Sequence, residues 1–284
     1  MKKILYALTA ALLLISCKEK PVELNVMSFN IRYDNPADSL NNWQYRKDVA
    51  ARIIKDYNSD IVGTQEVLVN QLNDLKAGLP EYNAIGVGRQ DGKEKGEYCA
   101  ILYKKDKFKE IKSGYFWLSE TPEVAGSKGW DGACERIATW AVLEESDTKK
   151  QVFFINTHLD HVGKAARQEG VTLLLNETGK LSNGLPVIMT GDFNATPDSD
   201  VIKHVKDPAN PNYMAHTKDL AVTKSGTDWT YHGYGKVPLD KREFIDYIFV
   251  KPDTKVLKHT VIPEKLNDIF ISDHSLITAQ IEIE

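Results

Sequence analysis

Cysteine is scarce in this chain, with three among 284 residues. Cys17, Cys99 and Cys134 stand at no zinc-like spacing and no HExxH pair occurs, which excludes the common structural and catalytic zinc sites. A basic excess is missing too. The 36 Lys and Arg residues face 40 Asp and Glu, a formal charge of −4. No overall positive field advertises a nucleic-acid partner, and such binding would need a locally basic groove. Internal repeats, low-complexity tracts and a second linker are absent as well, so the length reads as one large domain. What is present is ordinary globular composition, 42% hydrophobic and 27% charged.

The first residues do not read as part of that domain. "MKK" is a basic start, and "ILYALTAALLLI" is an apolar run too short to span a bilayer comfortably. "LISC", Leu14 to Cys17, resembles the lipobox of bacterial lipoproteins, in which the cysteine becomes the lipidated first residue; the alternative is an ordinary secretory signal. The expected organisation is a signal peptide over 1–16, lipidation at Cys17, a tether over 17–22 and one domain over 23–284. Cleavage removes Lys2 and Lys3, leaving the mature chain more negative. The implied location is the bacterial cell envelope, periplasmic or surface-facing, with the membrane reached through the lipid anchor. Export permits a disulfide between the remaining cysteines, but Cys99 lies in the apolar run "YCAILY" and reads as a small buried hydrophobe.

Strand and helix patterns then alternate to the C-terminus. "ELNVMSFNIR" and "DIVGTQEV" read as strands separated by a helix, "NWQYRKDVAARIIKDYN", with Val49, Ile53 and Ile54 on one face. A second helix is expected at "NQLNDLKAGL" and a third at "KAARQEGVTLLLNETGKL". "YNAIGVG", "EYCAILYKK", "FKEIKSGYFWL", "RIATWAVLEE", "QVFFINTHLD", "PVIMTGDFN", "EFIDYIFV", "KVLKHTVI" and "SLITAQIEI" are strand-like. About ten strands with few helices is too strand-rich for a doubly wound parallel sheet, and two packed sheets with helices outside fit better. The basic run "KKDKFKEIK" reads as a solvated face of a hairpin.

Polar residues interrupt these apolar runs at their ends. Asn30 closes "NVMSFN", Glu66 closes "DIVGTQE", His158 closes "VFFINTH", and Asp192 with Asn194 closes "VIMTGDFN". Asp246 interrupts "EFIDYIFV", while Asp273 and His274 open the final strand. An extended chain would put Asp192 and Asn194 on one face and turn Phe193 into the core. Each residue alone has an ordinary explanation, such as a strand-end cap for Asn30, half an ion pair for Glu66, or a satisfied core histidine for His158. As a set they are harder to explain away, because buried unpaired carboxylates gather only around a cation, a proton or each other. The set holds oxygen ligands and histidines but no serine or cysteine nucleophile motif. Glu66, Asp192, Asp273 and Asn30 suit Mg2+, or Mn2+ in its place, better than zinc. Two histidines with acidic neighbours suit phosphate clamping and proton transfer.

In order along the chain, "SFNIR", "QE", "NTHLDH", "GDFN", "IDYIF" and "SDH" resemble the endonuclease/exonuclease/phosphatase superfamily, whose members have the deoxyribonuclease-I-like fold. The likeness runs from about Leu24 to the C-terminus, and "GEYCAILY", "FWLSETP" and "SKGWDGACERIATW" resemble a bacterial branch of it. The implied fold is α/β, a four-layer αββα sandwich of two packed, mostly antiparallel sheets flanked by helices. By this resemblance Glu66 is the principal metal ligand, with Asn30 and Asp273 beside it. Asp192 orients or deprotonates the attacking water, and Asn194 holds it or the phosphate. His274 contacts phosphate and is fixed by Asp246, while His158 donates to the phosphate or leaving oxygen and is oriented by Glu97. The sequence has "FIDYIF" in place of the "PAWCDRIL" of inositol polyphosphate 5-phosphatases, which lowers the phosphoinositide reading.

Three loops are candidates to line the cleft. "GRQDGKEKGE" reads as a flexible hairpin or a phosphate-approaching loop. "GWDGACER" and "TDWTYHGYGKVP" bring Trp130, Trp229, Tyr231, His232 and Tyr234 among glycines, as a satellite core or as a stacking wall for substrate. Asp160 and His161 extend the histidine motif toward substrate. The expected function is a Mg2+-dependent phosphoesterase, foremost a phosphodiester hydrolase, acting as a monomer. The alternatives are a phosphomonoesterase on a sugar, inositol or lipid headgroup, and a non-catalytic surface lipoprotein that binds glycans or nucleic acid.

Overall fold

The computed structural model describes residues 20–284. The expected signal peptide, Cys17 and the first half of the expected tether lie outside the described residues. The chain opens with β1 (Val22–Asn30), α1 (Trp43–Asp56), β2 (Ile61–Gln65), α2 (Val69–Gly78), β3 (Tyr82–Ile85) and β4 (Ile101–Lys104). It continues through β5 (Phe108–Trp117), β6 (Ile137–Glu145), β7 (Gln151–His158), α3 (Lys164–Ser182), β8 (Val187–Asp192) and α4 (Asp200–Lys206). Short elements follow, β9 (Ala215–His216), α5 (Thr217–Leu220) and β10 (Thr223–Ser225), then β11 (Asp246–Val250) and β12 (Lys255–Val261). The chain ends with the small hairpin β13 (Lys265–Leu266) and β14 (Ile269–Phe270), and with β15 (Ile277–Ile283).

Local chemistry starts and stops these elements where the patterns suggest. Asn42 caps α1, its side chain accepting the Gln44 N–H, and Trp43, Ala50, Ile53 and Ile54 form the buried face. Asn183 at φ 48° with Gly184 after it ends α3 by the left-handed route. The short α4, absent from the sequence reading, is started by Ser199, whose hydroxyl accepts the Ile202 N–H.

One sheet has the order β10-β12-β15-β1-β2-β4-β3 and the other β5-β6-β7-β8-β11-β9. Pairing is mostly antiparallel, but each sheet contains a parallel pair made through a helical crossover: β1 with β2 through α1, and β7 with β8 through α3. A first core, with Phe153, Ile155, Met189, Leu24 and Ile281, fills the space between the sheets and reaches Leu174 of α3 and Ile202 of α4. A second core packs Met27, Phe29 and Val62 of the first sheet on Ile54 of α1 and Leu75 of α2. The result is the expected four-layer αββα sandwich. No helix among the described residues is long and apolar enough to cross a membrane.

Three sequence expectations shift. Strand β1 begins at Val22, inside the expected tether. Asp246 is the first residue of β11 rather than an interruption of it, and Asp273 and His274 precede β15 in a loop rather than opening it. Cys99 is buried and Cys134 half-buried, and both are free thiols. The basic run is solvated as expected, with Lys109 to Lys112 exposed along β5.

A polar seam crosses the apolar interior. Asn156 of β7 donates to the carbonyls of Thr64 and Ala100, 2.8 and 3.1 Å, and its oxygen accepts from Gln65, 2.7 Å, and Thr190, 3.0 Å. Every hydrogen-bonding position of this buried amide is used, so it ties β2 of one sheet to β7 and β8 of the other. Gly63 is required there, since a methyl group would overlap Thr190 Oγ1 and the Asn156 amide.

Candidate active site

The parallel pairs explain why the polar residues meet. Parallel strands end at one edge, so β1 and β2 deliver Asn30 and the following Glu66 together, as β7 and β8 deliver His158 and Asp192. Strand β11 runs antiparallel to β8, and its first residue Asp246 pairs with Asp192. His158, Asp192 and Asp246 thus form a row across three adjacent strands. The backbone is strained around this edge. Glu66, Arg32 and Asn194 all have positive φ, 61°, 57° and 46°, uncommon for residues with side chains and typical of sites that aim a functional group.

Asn30 sits at the centre. Its Nδ2 donates to Glu66 Oε1 and to Asp192 Oδ2, each at 3.0 Å, while its Oδ1 accepts the Arg32 N–H. Glu66 Oε2 accepts the Tyr33 N–H at 3.1 Å. His274 Nδ1 lies 2.8 Å from Asp246 Oδ2, and its Nε2 faces Asp192 Oδ2 at 3.8 Å. Asp192 Oδ1 accepts the Asn194 N–H at 2.9 Å, and Asn194 Nδ2 meets His158 Nε2 at 3.0 Å. Asp192 and Asn194 therefore share one centre, but through a turn in which Asn194 is left-handed, and strand alternation is not the device. Phe193 turns into the core as expected, against Tyr247 and Phe249.

Burial and neighbours push the histidines in opposite directions. Burial holds His158 well below the ordinary histidine value, and the nearby Arg136 and Arg89 cations add to this. Burial also opposes charge on His274, yet the Asp246 carboxylate, with Asp192 and Asp273, raises it well above that value. The surroundings therefore favour the neutral form of His158 and the charged form of His274, and the Nε2 atoms of both face Asp192 Oδ2, at 3.5 and 3.8 Å. Asp192 itself is raised to about 7 by burial, then by the charge of Asp246. Asp273 is raised by burial and by Glu66, despite His274 beside it.

Such carboxylate crowding fits a divalent cation. Glu66, His158 and Asp192 offer ligand atoms within 4.8 Å of one another, as do Asp192, Asp246 and His274. The nearest guanidinium, Arg32, is spent on Asp38 at 3.0 Å and reaches Asp273 only at 3.7 Å and Glu66 at 3.9 Å. Asp192 and Asp246 share one histidine, His274, while Glu66 and Asp273 meet only the distant edge of Arg32, and a hard cation would relieve this excess of carboxylates.

These groups open into a cavity of about 520 Å3 lined also by Tyr231, His161 and Asp273. Several expected residues change role. Glu97 makes a two-fold pair with Arg89, both contacts 2.7 Å, and does not orient His158, whose Nδ1 has no hydrogen-bond partner. Asn30 presents amide hydrogens to the carboxylates in this arrangement, its oxygen being taken by backbone. Asp160 is buried and accepts the N–H groups of Ala133, Val162 and Gly163, so it holds loops and does not line the cavity. His232 is fully buried, accepting the Gly235 N–H and stacking on Phe270. Trp229 packs under the Arg242 guanidinium, and neither it, Trp130 nor Tyr234 lines the cavity. Tyr231 does line it, its ring 5.0 Å from that of His274.

Sequence reasoning missed Arg32, Tyr33, Arg89, Arg136 and Glu243, which line the same cavity. Arg89 belongs to the loop read as a flexible hairpin, and Arg136 stands one residue before β6. The one available signal was that each arginine adjoins an apolar strand.

A two-sheet sandwich whose strand edge gathers carboxylates, a histidine–aspartate pair and a second histidine defines a class of metal-assisted phosphate-ester hydrolases. Residues 27–274 match the model of the Endonuclease/Exonuclease/phosphatase family, and the chain belongs to that family. It is 44% identical to the endonuclease/exonuclease/phosphatase from Bacteroides vulgatus, with a TM-score of 0.89, covering 93% of this chain and 100% of that one. It is 34% identical to a mannosyl-6-phosphatase from Bacteroides thetaiotaomicron, with a TM-score of 0.82, covering 91% of this chain and 99% of that one. Among curated proteins it is 24% identical over 298 residues to the CCR4-Not complex 3'-5'-exoribonuclease subunit Ccr4 of Mycosarcoma maydis, 81% of this chain but only 44% of that one. The chain spans less than half the length of that relative. Members of this family are hydrolases acting on phosphate esters and generally use divalent metal ions.

Proposed function

We propose that the protein is a Mg2+-dependent phosphoesterase acting on a small phosphate ester, a phosphorylated sugar being the best-supported class. The observation that carries this is the connected set Glu66–Asn30–Asp192–His274–Asp246 beside a cavity of about 520 Å3, room for a small ester. The 34% identity to a mannosyl-6-phosphatase supports a monoester over the phosphodiester first expected. The diester remains the second reading, favoured by the 24% identity to an exoribonuclease subunit.

Glu66 and Asp192 are the residues to hold the cation, with Asp273 beside them; when bound, it supplies charge neutralisation for the phosphate oxygens. Asp192 orients the attacking water and accepts its proton, and Asn194 fixes Asp192 through its N–H. His274, whose charged form Asp246 favours, donates to a phosphate oxygen, and His158, whose neutral form burial favours, approaches Asp192 from the end of β7. The same sequence signals that open the chain support export and a lipid anchor at Cys17 in the cell envelope. The test is turnover of mannose 6-phosphate and of a bis-aryl phosphodiester with Mg2+, Mn2+ or chelator. Metal-dependent release of phosphate from the monoester is expected, and Glu66→Gln should shift the Mg2+ titration upward by at least ~10-fold. A wild-type metal titration in Glu66→Gln would make Glu66 a structural carboxylate, and no turnover of either ester would support the non-catalytic binder.

A further inference from the structure

Beside the reacting centre the cavity has a second polar wall whose bonding is incomplete. Arg136 is 5% exposed and lines the cavity, yet its Nε and Nη1 have no hydrogen-bond partner. Its Nη2 meets His161 Nδ1 at 3.0 Å. The closest carboxylate, Asp160, stands 3.6 Å from Nε and is occupied by backbone N–H groups. Next to it, Arg89 and Glu97 form their two-fold pair, and Arg89 Nε is also without a partner. Among the described residues none of these groups hydrogen-bonds to Asp192, Asn194, His158 or His274. Burying a guanidinium with unmet donors is costly, and such donors are normally satisfied.

We infer that Arg136, Arg89, Glu97 and His161 form the subsite for the hydroxyl groups of the substrate, selecting phosphorylated polyols over aryl phosphates. This rests on the phosphoesterase reading. Each guanidinium already has a carboxylate neighbour, Arg89 in Glu97 and Arg136 in Asp160 at 3.6 Å, so what the wall lacks is hydrogen-bond acceptors for Arg136 more than a counter-charge. A hydroxyl can accept from Arg136 and in turn donate to the free lone pairs of Glu97, which suits a wall of alternating donors and acceptors. An aryl group would leave those donors buried and unpaired, and sites built for hydroxyls reject analogues that lack them.

The test compares mannose 6-phosphate, phenyl phosphate and fructose 1,6-bisphosphate on wild type, Arg136→Gln and His161→Ala. Arg136→Gln should raise KM for mannose 6-phosphate at least ~10-fold, with kcat changed less than ~3-fold, and the loss on phenyl phosphate should be several-fold smaller. His161 is exposed, so His161→Ala keeps the fold and should show the same preference loss at about 3-fold, through release of Arg136. Equal losses on both monoesters, or none, would overturn the subsite, and a KM rise confined to the bisphosphate would make the wall an anion site instead. If wild type hydrolyses no ester, the hydrolase reading falls. The subsite is then tested by calorimetric titration with mannose 6-phosphate, where binding weakened ~10-fold in Arg136→Gln supports it and unchanged or absent binding overturns it.

Discussion

His274 and Asp246 are 2.8 Å apart and buried, with Asp246 Oδ1 left without a partner. A carboxylate so placed orients the ring and stabilises its charge, and its effect on turnover should pass mainly through the imidazole, with a smaller direct effect through the charge it sets against Asp192. His274→Ala is expected to lower kcat by at least ~10²-fold, the scale of one lost acid–base group or charge-stabilising donor. Asp246→Asn should cost less, since the ring stays but its charged partner is gone. The double variant should be scarcely slower than His274→Ala, because residues acting as one unit are non-additive. Fully multiplicative losses in steady-state kinetics would separate the two. These roles were legible as residue types at strand ends. That Glu97 belongs to Arg89 and leaves His158 Nδ1 unpaired was not, because strand position says nothing of which cation sits opposite.

At the scale of elements, two features carry tests. The Asn156 seam joins the sheets directly beneath the site, so Asn156→Leu removes four buried hydrogen bonds, leaving the Thr190 hydroxyl without its acceptor and Gln65 with only Gly63 O and Ser28 Oγ. A loss of about 3 kcal/mol or more is expected, read as the urea midpoint, against a change within about 0.5 kcal/mol for Lys109→Ala on the exposed face of β5. The second feature joins β9 and β12, where the rings of His216 and His259 lie 5.3 Å apart and both are buried. Burial lowers His259 to about 4, aided by Lys218 and Lys224 and opposed by Asp219. Burial also holds His216 well below the ordinary value, with His259 and Lys206 adding to it. The unfolded chain takes up protons near pH 6.5 while the native state refuses them, so this stability is intact above about 6.5 and is lost as pH falls toward 4. For His259 alone the loss by pH 5 is roughly 2 kcal/mol. His259→Asn should flatten the urea-midpoint profile between pH 7 and 5, and an unchanged slope would assign the pH dependence to carboxylates elsewhere.

For the whole molecule, the expected lipid anchor makes a prediction independent of the fold. Cys17→Ala should move the protein from the membrane fraction to the soluble fraction, or stall its maturation, with turnover of a soluble ester retained. A processed, membrane-bound variant would defeat the lipoprotein reading. At this scale the sequence by itself determined much. The number of its apolar runs, continuous in β2, β8 and β11 because those strands are buried on both faces, pointed to two sheets with outer helices, and its odd polar residues marked the strand ends that matter. What only the tertiary structure decided is which of those ends share a point in space. The register His158–Asp192–Asp246 across three strands, the left-handed turns at Glu66 and Asn194, and the unsatisfied Arg136 beside the centre all depend on long-range pairing. A strand pattern fixes which face a residue takes, whereas its partners are set by neighbours more than a hundred residues away, as Asn30 and Asp192 are, 162 apart in sequence and 3.0 Å apart in space.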